Sequence, residues 1–286
     1  MTAPALPARS SWLPLLERAL VEDIGPGDVT SSAVIPAAMR GQAVVVAREP
    51  LVACGLEVTE AVFAAVDASL EVQREWSEGE ARERTLPLLR VRGSLRSILV
   101  AERTALNFLG RLCGIATFTR RFVRAVEGSG CRIVDTRKTL PGWRVLDKYA
   151  TAVGGAENHR MGLYDAVLIK DNHIEAAGSV SAAVAAVHAT LPPHLRVQVE
   201  VESEAQAEEA LAAGAEWLLL DNRSVDELRA MAKRFRDRAL LEASGGVTLE
   251  SVRAVAETGV HRVSIGALTH SAPSADVALD VVRGAV

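Results

Sequence analysis

The chain has 286 residues, 49% hydrophobic and 24% charged, with a net charge of −4. That is enough for one large domain or two small ones, at roughly 150 residues per domain, and the negative balance argues against a general nucleic-acid or membrane-binding surface. Cys54, Cys113 and Cys131 are few, odd in number and scattered; this fits a reducing cytoplasm and argues against a zinc site.

The N-terminus lacks a basic segment followed by a long apolar run, and no run reaches about 18 apolar residues, so neither a signal peptide nor a membrane span is expected. Residues 11–22 read as an amphipathic helix, with Ser10 or Ser11 as cap and Pro14 in the first turn. EDIGPGDVTS then reads as a loop, because two glycines, a proline and three acids break the pattern. Residues 41–49 read as a strand, 55–67 as a helix, and 69–76 and 86–94 as further strands. This part mixes strands and helices without a repeating βα unit, so it is assigned to the α+β class. From Leu95 to about Glu127 the pattern is helical, with Gly110 and Gly114 as points where it could break into two helices.

After Gly130 short apolar runs alternate with polar or Gly-rich loops and helical patterns. The runs are 131–135, 166–170, 197–201, 217–221, 240–244 and 263–266, and TAVGG at 151–155 is a candidate seventh strand. The last four begin every 20 residues or so, the period of parallel βα units. Such a series forms either a doubly wound sheet or a barrel. No GxGxxG follows the first strand to favour a dinucleotide fold.

The strand ends carry the chemistry, since parallel α/β barrels place their sites there. In order they are Thr136-Arg137-Lys138, Lys170-Asp171-Asn172, Glu200 and Glu202, Asp221-Asn222, Ser244-Gly245-Gly246, and Gly266-Ala267. The last two loops suit a phosphate, because glycine lets backbone N–H groups approach an anion; the plainer reading is that they only turn the chain. Gln198, Glu200 and Glu202 alternate and share one strand face. Glu200 and Asp221 suit ribose hydroxyls or a magnesium ion held through water and phosphates, while Asp221 could equally cap the next helix and Glu202 could be a surface or capping acid. The third group is cationic. Lysine is rare, with four in the chain, and three of them lie between Lys138 and Lys170. Arg137 and Arg160 can grip carboxylates bidentately. Lys138 and Lys170 act as point charges, and His159 can donate a hydrogen bond or carry charge. His173 reads as structural, and Lys148, in a helical stretch, as supporting or superficial.

EDIGPGDVTS, AERTALNFLGRLCGIAT, DTRKTLPG, NHRMGLYDAVLIKDNHI, VEVES, LLLDN, EASGGV and IGALTHS occur in this order. On these motifs, from about residue 22 to the C-terminus, the chain resembles the decarboxylating quinolinate phosphoribosyltransferases, also called nicotinate-nucleotide pyrophosphorylases. Departures are mild: GGA where GGG is common, Cys113 where Ser is common, and Trp143 after Pro-Gly. The resemblance implies an N-terminal α+β domain (1–115), an incomplete α/β barrel (116–271), and a last helix, within 272–286 and centred on Ser274–Arg283, packing back on the first domain. It also implies a cytoplasmic homodimer with Arg103 contributed across the interface. The implied substrates are quinolinate and phosphoribosyl pyrophosphate, with Mg2+ as cofactor. Arg103, Arg137, His159, Arg160 and Lys170 would hold quinolinate, with Thr136 beside them. Lys138 would sit near the diphosphate, and Glu200 and Asp221 would face ribose and metal. Ser244, Gly245, Gly246, Ile265, Gly266 and Ala267 would take the 5′-phosphate. The rivals are a relative acting on another acid such as nicotinate, a molybdenum-linked relative, and a non-catalytic anion-binding protein.

Overall fold

The computed structural model describes residues 3–82, 87–192 and 195–282. A 3-10 turn at Arg9–Ser11 leads into α1 (Leu13–Ile24), α2 (Val29–Val34), β1 (Arg40–Ala47), β2 (Leu51–Val52) and α3 (Leu56–Val66). Then come β3 (Glu71–Arg74), β4 (Ala81–Arg82), β5 (Pro87–Ser94) and α4 (Leu95–Ala125). The next elements are β6 (Arg132–Val134), α5 (Arg144–Gly154), β7 (Val167–Ile169), α6 (Asp171–Ala177), α7 (Val180–Thr190) and β8 (Val197–Glu200). α8 (Glu204–Ala212), β9 (Trp217–Asp221), α9 (Val225–Phe235), β10 (Leu240–Ser244), α10 (Val252–Ala256), β11 (Arg262–Ser264), α11 (Ala267–His270) and β12 (Val277–Val282) complete the chain. No helix among the described residues is long and apolar enough to cross a membrane.

Two compact units result, and neither is continuous in sequence. The first comprises residues 1–120, 139–155 and 268–286, and the second 121–138 and 156–267. Residues 139–155, expected within the barrel, therefore belong with the first unit. α5 is the reason. TAVGG is its last turn and not a seventh strand. Its face of Leu146, Tyr149, Ala150 and Val153 joins the core of Trp12, Leu16, Phe63, Phe108 and Leu112. A helix-period pattern running back to Arg144 overrides the short apolar run at its end.

The first unit is built on an antiparallel sheet in the order β12-β1-β5-β3. Four local readings change here. Ser10 and Ser11 lie in the 3-10 turn, and α1 begins after Trp12 with Pro14 in its first turn. EDIGPGDVTS is only partly loop: Asp28 accepts hydrogen bonds from the N–H groups of Thr30 and Ser31 and so caps α2. The C-terminal segment is a strand, not a helix; β12 pairs along β1 from Gln42↔Val282 to Ala47↔Val277. It does return to the first unit, and Arg283 lies outside the described residues, as does Leu86 at the start of the expected strand. Lastly, α4 runs unbroken for 31 residues. A Cβ on Gly114 would stand 2.0 Å from the Pro273 carbonyl oxygen, and one on Gly110 3.1 Å from that of Ala275. Both glycines serve close backbone approach, and the helix tolerates them because packing outweighs their propensity cost of ~1 kcal/mol each.

Cys113, on the same helix, accepts a hydrogen bond from Cys54 N–H and donates to the Cys54 carbonyl, each at 3.3 Å. Both thiols are fully buried, and burial pushes Cys113 up to about 12. All three cysteines are free and buried, and burial raises each thiol above its ordinary value, which disfavours the thiolate and leaves them as structural side chains.

The second unit is a six-stranded parallel sheet in the order β6-β11-β10-β9-β8-β7, wound with helices. Followed from β7, each strand lies beside its successor in the chain, and β6 closes on β11. That is barrel order left open between β6 and β7. Glu157 occupies the free edge of β6 through a bridge to Val134. Interior positions such as Val197, Val199, Leu218, Leu220, Leu241, Ala243 and Val263 are buried, as expected when both sheet faces are covered.

Candidate active site

All six strands of the second unit are parallel, so their C-terminal ends share one rim. Every sequence-predicted site residue except Arg103 stands on it. Thr136, Arg137 and Lys138 leave β6, and the Thr136 hydroxyl accepts the Lys138 N–H at 3.0 Å. Just below, the fully buried Asp135 accepts the Asn158 amide at 2.6 Å and the His159 N–H at 2.8 Å. This carboxylate ties the chain segment bearing His159 and Arg160 to the end of β6.

Arg160 lies close enough to Arg137 for the two charges to oppose each other. Burial, and then the Arg137 charge, lower the Arg160 guanidinium below its ordinary value, with Asp165 acting against them. Arg160 also donates to the Ala166 carbonyl at 3.3 Å. Two neighbouring half-buried guanidiniums cost free energy unless an anion joins them.

Lys170 ends β7. Its ammonium is 2.9 Å from Glu200 Oε2, at the end of β8. Glu200 thus has the cationic partner that a largely buried carboxylate requires. His173 plays the structural part expected of it, with Nδ1 accepting the Lys170 N–H at the start of α6. Glu202 lies beyond the strand and is exposed.

Asp221 ends β9 and accepts the Asn222 amide at 2.8 Å. It does not cap α9: Ser224 does, in a reciprocal box with Glu227. That removes the simplest structural explanation for Asp221. The β9 and β10 ends then interlock. Asn222, the one non-glycine residue with positive φ among the described residues, donates its N–H to the Ser244 carbonyl at 2.9 Å. A Cβ on Gly245 would lie 2.1 Å from Asn222 Oδ1. Gly245 and Gly246 both adopt left-handed φ, 97° and 59°, so the SGG loop is a backbone cradle that glycine favours, and at Gly245 a side chain would collide with Asn222. The helix that follows it, α10, starts at Val252. After Ile265 and Gly266, in contrast, α11 begins at once with Ala267.

Beneath the rim lies a second polar layer. Gln198 is two residues below Glu200, and Glu242 two below Ser244, so alternation points them to the same faces. Glu242 is buried to 1% exposure and Gln198 to 4%. The Gln198 amide donates to Glu242 Oε2 at 2.9 Å, and Arg262 Nε donates to the same oxygen at 2.6 Å. His159 Nε2 is 3.2 Å from Gln198 Oε1 and 3.6 Å from Glu242 Oε2. Its Nδ1 accepts the Arg160 N–H at 2.7 Å. Arg262 stacks 3.5 Å above the Trp217 ring.

Arg103 belongs to the other unit. It lies on α4 in the first unit, with its side chain exposed. Lys148 is fully buried in α5, so it is not a surface residue.

Comparison with known proteins relates most of the chain to one family. The model of the quinolinate phosphoribosyl transferase N-terminal domain matches residues 28–113, and that of the C-terminal domain residues 115–280. The chain belongs to the quinolinate phosphoribosyltransferase family. It is 44% identical over 272 residues to a nicotinate-nucleotide pyrophosphorylase of Mycobacterium leprae, covering 93% of this chain and 95% of the relative. A probable nicotinate-nucleotide pyrophosphorylase of Synechocystis is 42% identical over 273 residues, covering 94% and 92%. The solved nicotinate-nucleotide pyrophosphorylase of Francisella tularensis superposes with a TM-score of 0.92 at 34% identity, covering 96% and 97%. As a member of the quinolinate phosphoribosyltransferase family the chain is a pentosyltransferase enzyme, and its two-unit fold is that of the family.

Sequence reasoning missed Asp135, Glu242 and Arg262, although two of the three stand in strands it had located. The signal was available: a carboxylate in mid-strand, as in LLEAS, needs a partner inside a barrel. Burial alone would raise the Glu242 carboxyl, but the nearby His159 ring and the Arg262 charge outweigh it and hold Glu242 at about 2. A lowered folded-state value means stabilisation that is complete above the ordinary value and is lost as pH falls toward the folded one. Against Glu242→Gln, the wild type should therefore gain on the order of 3 kcal/mol at neutral pH. That advantage should shrink between about pH 4.5 and 2, as read by urea unfolding at each pH. A difference independent of pH would mean that the Glu242 charge contributes nothing.

Proposed function

We propose that this chain transfers the phosphoribosyl group of phosphoribosyl pyrophosphate to quinolinate with decarboxylation. The products are nicotinate mononucleotide, diphosphate and CO2, in de novo NAD biosynthesis. The observation that carries this reading is the placing of Arg160 beside Arg137, whose charge opposes its own, on a rim that also bears Lys138 and Lys170. Two forks side by side match two adjacent carboxylates, each able to take a bidentate grip. A monocarboxylate such as nicotinate would leave part of that charge uncompensated.

The remaining rim residues fit the other substrate. The Ser244-Gly245-Gly246 cradle and the Gly266 loop suit the 5′-phosphate. Lys138 stabilises departing diphosphate. Glu200 and Asp221 face the ribose, where positive charge develops as the bond at C1′ breaks. The pyridine nitrogen then bonds to C1′, and the cationic ring holds the electron pair left at C2 when CO2 departs. A proton on that carbon completes the product. No nucleophilic side chain is required; positioning and charge suffice. Among the described residues no cluster of three or more His, Cys, Asp or Glu forms a metal site. Glu200 and Asp221 are hard oxygen donors on neighbouring strands, so they fit Mg2+ bound through water and diphosphate and not in a protein cage. When bound there, Mg2+ supplies charge neutralisation of the diphosphate.

The working form in this reading is a cytoplasmic homodimer in which a second copy supplies Arg103. The exposed Arg103 side chain, and Val21, Val29 and Val34 exposed at 74%, 81% and 70% on α1 and α2, support it. Mixing Arg103→Ala chains with Lys138→Ala chains should restore activity, because one site of the mixed dimer is whole. Failure of the mixture to exceed either parent would place Arg103 outside the partner's site. The reaction itself is tested with quinolinate, phosphoribosyl pyrophosphate and magnesium, following CO2 and nicotinate mononucleotide. Turnover with nicotinate but none with quinolinate would overturn the assignment.

A further inference from the structure

We infer that Glu242 is a positioning residue of the site, holding the His159 ring through Gln198 and, through that ring, the backbone of Arg160. The inference rests on the reading of Arg137 and Arg160 as the dicarboxylate grip, but the contacts it uses lie wholly inside the second unit.

The geometry leaves His159 little choice. Nδ1 accepts the Arg160 N–H, so it carries no proton in this arrangement, and the ring proton sits on Nε2. Nε2 then donates inward, to Gln198 Oε1 at 3.2 Å, with Glu242 Oε2 at 3.6 Å behind it. Gln198 is oriented in turn. Its amide donates to Glu242, which fixes its carbonyl oxygen toward the imidazole. Glu242 is held by Arg262, whose guanidinium lies flat on Trp217. The chain of contacts therefore starts at a stacked arginine on β11 and passes β10 and β8. It ends at the main-chain N–H of a residue that grips substrate.

A rim loop needs such support. Arg160 leaves no strand or helix of its own; it follows a single bridge residue, Glu157, and a turn. Asp135 ties down the N–H of His159 from one side. The His159 ring ties down the next N–H from the other. With adjacent amides fixed, the guanidinium is delivered beside Arg137 in spite of their repulsion. Strands rise about 3.3 Å per residue, so Glu242 and Gln198 act from about 7 Å beneath the rim. At that depth they orient the site without touching substrate. The polar layer is also fully connected, and that is the condition under which a buried network rigidifies a site.

Two measurements on the full-length protein test this. In 15N spectra of the ligand-free wild type, His159 should show one fixed tautomer, with a protonated Nε2 and an unprotonated acceptor Nδ1. Glu242→Gln should shift or broaden those signals. In steady-state kinetics Glu242→Gln should raise KM for quinolinate by about tenfold, the scale of a small misplacement of a binding group. KM for phosphoribosyl pyrophosphate should stay within about twofold, because the Asn222 N–H holds the Ser244 carbonyl and the Ile265 N–H is held by the Val134 carbonyl. Adding Glu242→Gln to His159→Asn should then cost little more than His159→Asn alone, since both act along one path. If Glu242→Gln does not fold, Gln198→Met, which removes the acceptor and keeps the shape, should give the same tautomer change and the same selective rise in KM. A His159 ring averaging between tautomers in the wild type overturns the inference. So does an equal loss for both substrates, or full additivity with His159→Asn. If quinolinate is not the substrate, the kinetic effect is absent while the tautomer result still stands, which separates the two failures.

Discussion

Lys138→Ala should lower kcat about 10²- to 10³-fold, the usual cost of removing one preorganised group that meets charge developing in the transition state. KM for quinolinate should change little, because Lys138 is assigned to the leaving diphosphate and not to the dicarboxylate. A fall in kcat and kcat/KM together would show that the interaction is made only as diphosphate departs. Stability should stay within about 0.5 kcal/mol, since the side chain is exposed and its backbone N–H is held independently by Thr136. Lys138→Arg should recover only part of the loss. The broad guanidinium fork does not reproduce a compact ammonium beside a diphosphate oxygen. Pre-steady-state release of diphosphate is the direct measurement; an unchanged rate would remove Lys138 from the chemistry.

The rim that carries this prediction was legible in the sequence because its signals are local. Each of the six apolar runs after Gly130 became a strand of the parallel sheet. Position at a strand end then marked Lys138, Lys170, Glu200, Asp221 and Ser244 with no knowledge of their neighbours. The cradle at Gly245 follows the same logic, since consecutive glycines imply backbone that other residues rarely adopt. Rarity of lysine pointed to the right segment, but it did not separate roles. Lys148 proved fully buried in α5, while Lys138 and Lys170 reach the rim.

What the sequence did not reveal depends on partners far along the chain. VALDVV is valine-rich, but its six residues do not by themselves decide between strand and helix. Its register with β1, from Gln42↔Val282 to Ala47↔Val277, decides that. Gly110 and Gly114 resemble helix breakers until the carbonyls of Ala275 and Pro273 are set against them. Glu242 lies in mid-strand, and only the spatial meeting of β8, β10 and β11 gives it partners. Trp143 is explained in the same way. It stacks on Phe108 with ring centroids 4.7 Å apart, and the Arg111 guanidinium lies 5.4 Å from its ring.

That arginine leads to the largest expected stability effect. Arg111 makes a bidentate pair with Asp147, at 2.9 and 2.7 Å, and adds a bond to the Thr269 carbonyl at 3.1 Å. Asp147 is fully buried, and Arg111 keeps only 17% of its side chain exposed. Burial lifts the Asp147 carboxyl above its ordinary value, and the Arg111 hydrogen bonds oppose this only in part. The pair is therefore costly to desolvate and more costly to break. Asp147→Ala should destabilise the protein by about 3–5 kcal/mol, because it strands a buried guanidinium. Replacing both partners together, Arg111→Leu with Asp147→Leu, should recover most of that loss, since no uncompensated charge remains. Urea unfolding at one fixed protein concentration measures both, with Trp143 reporting locally through its contact with Arg111. Equal losses in the single and double variants would show that the pair contributes through its own attraction and not through the penalty of leaving one charge alone.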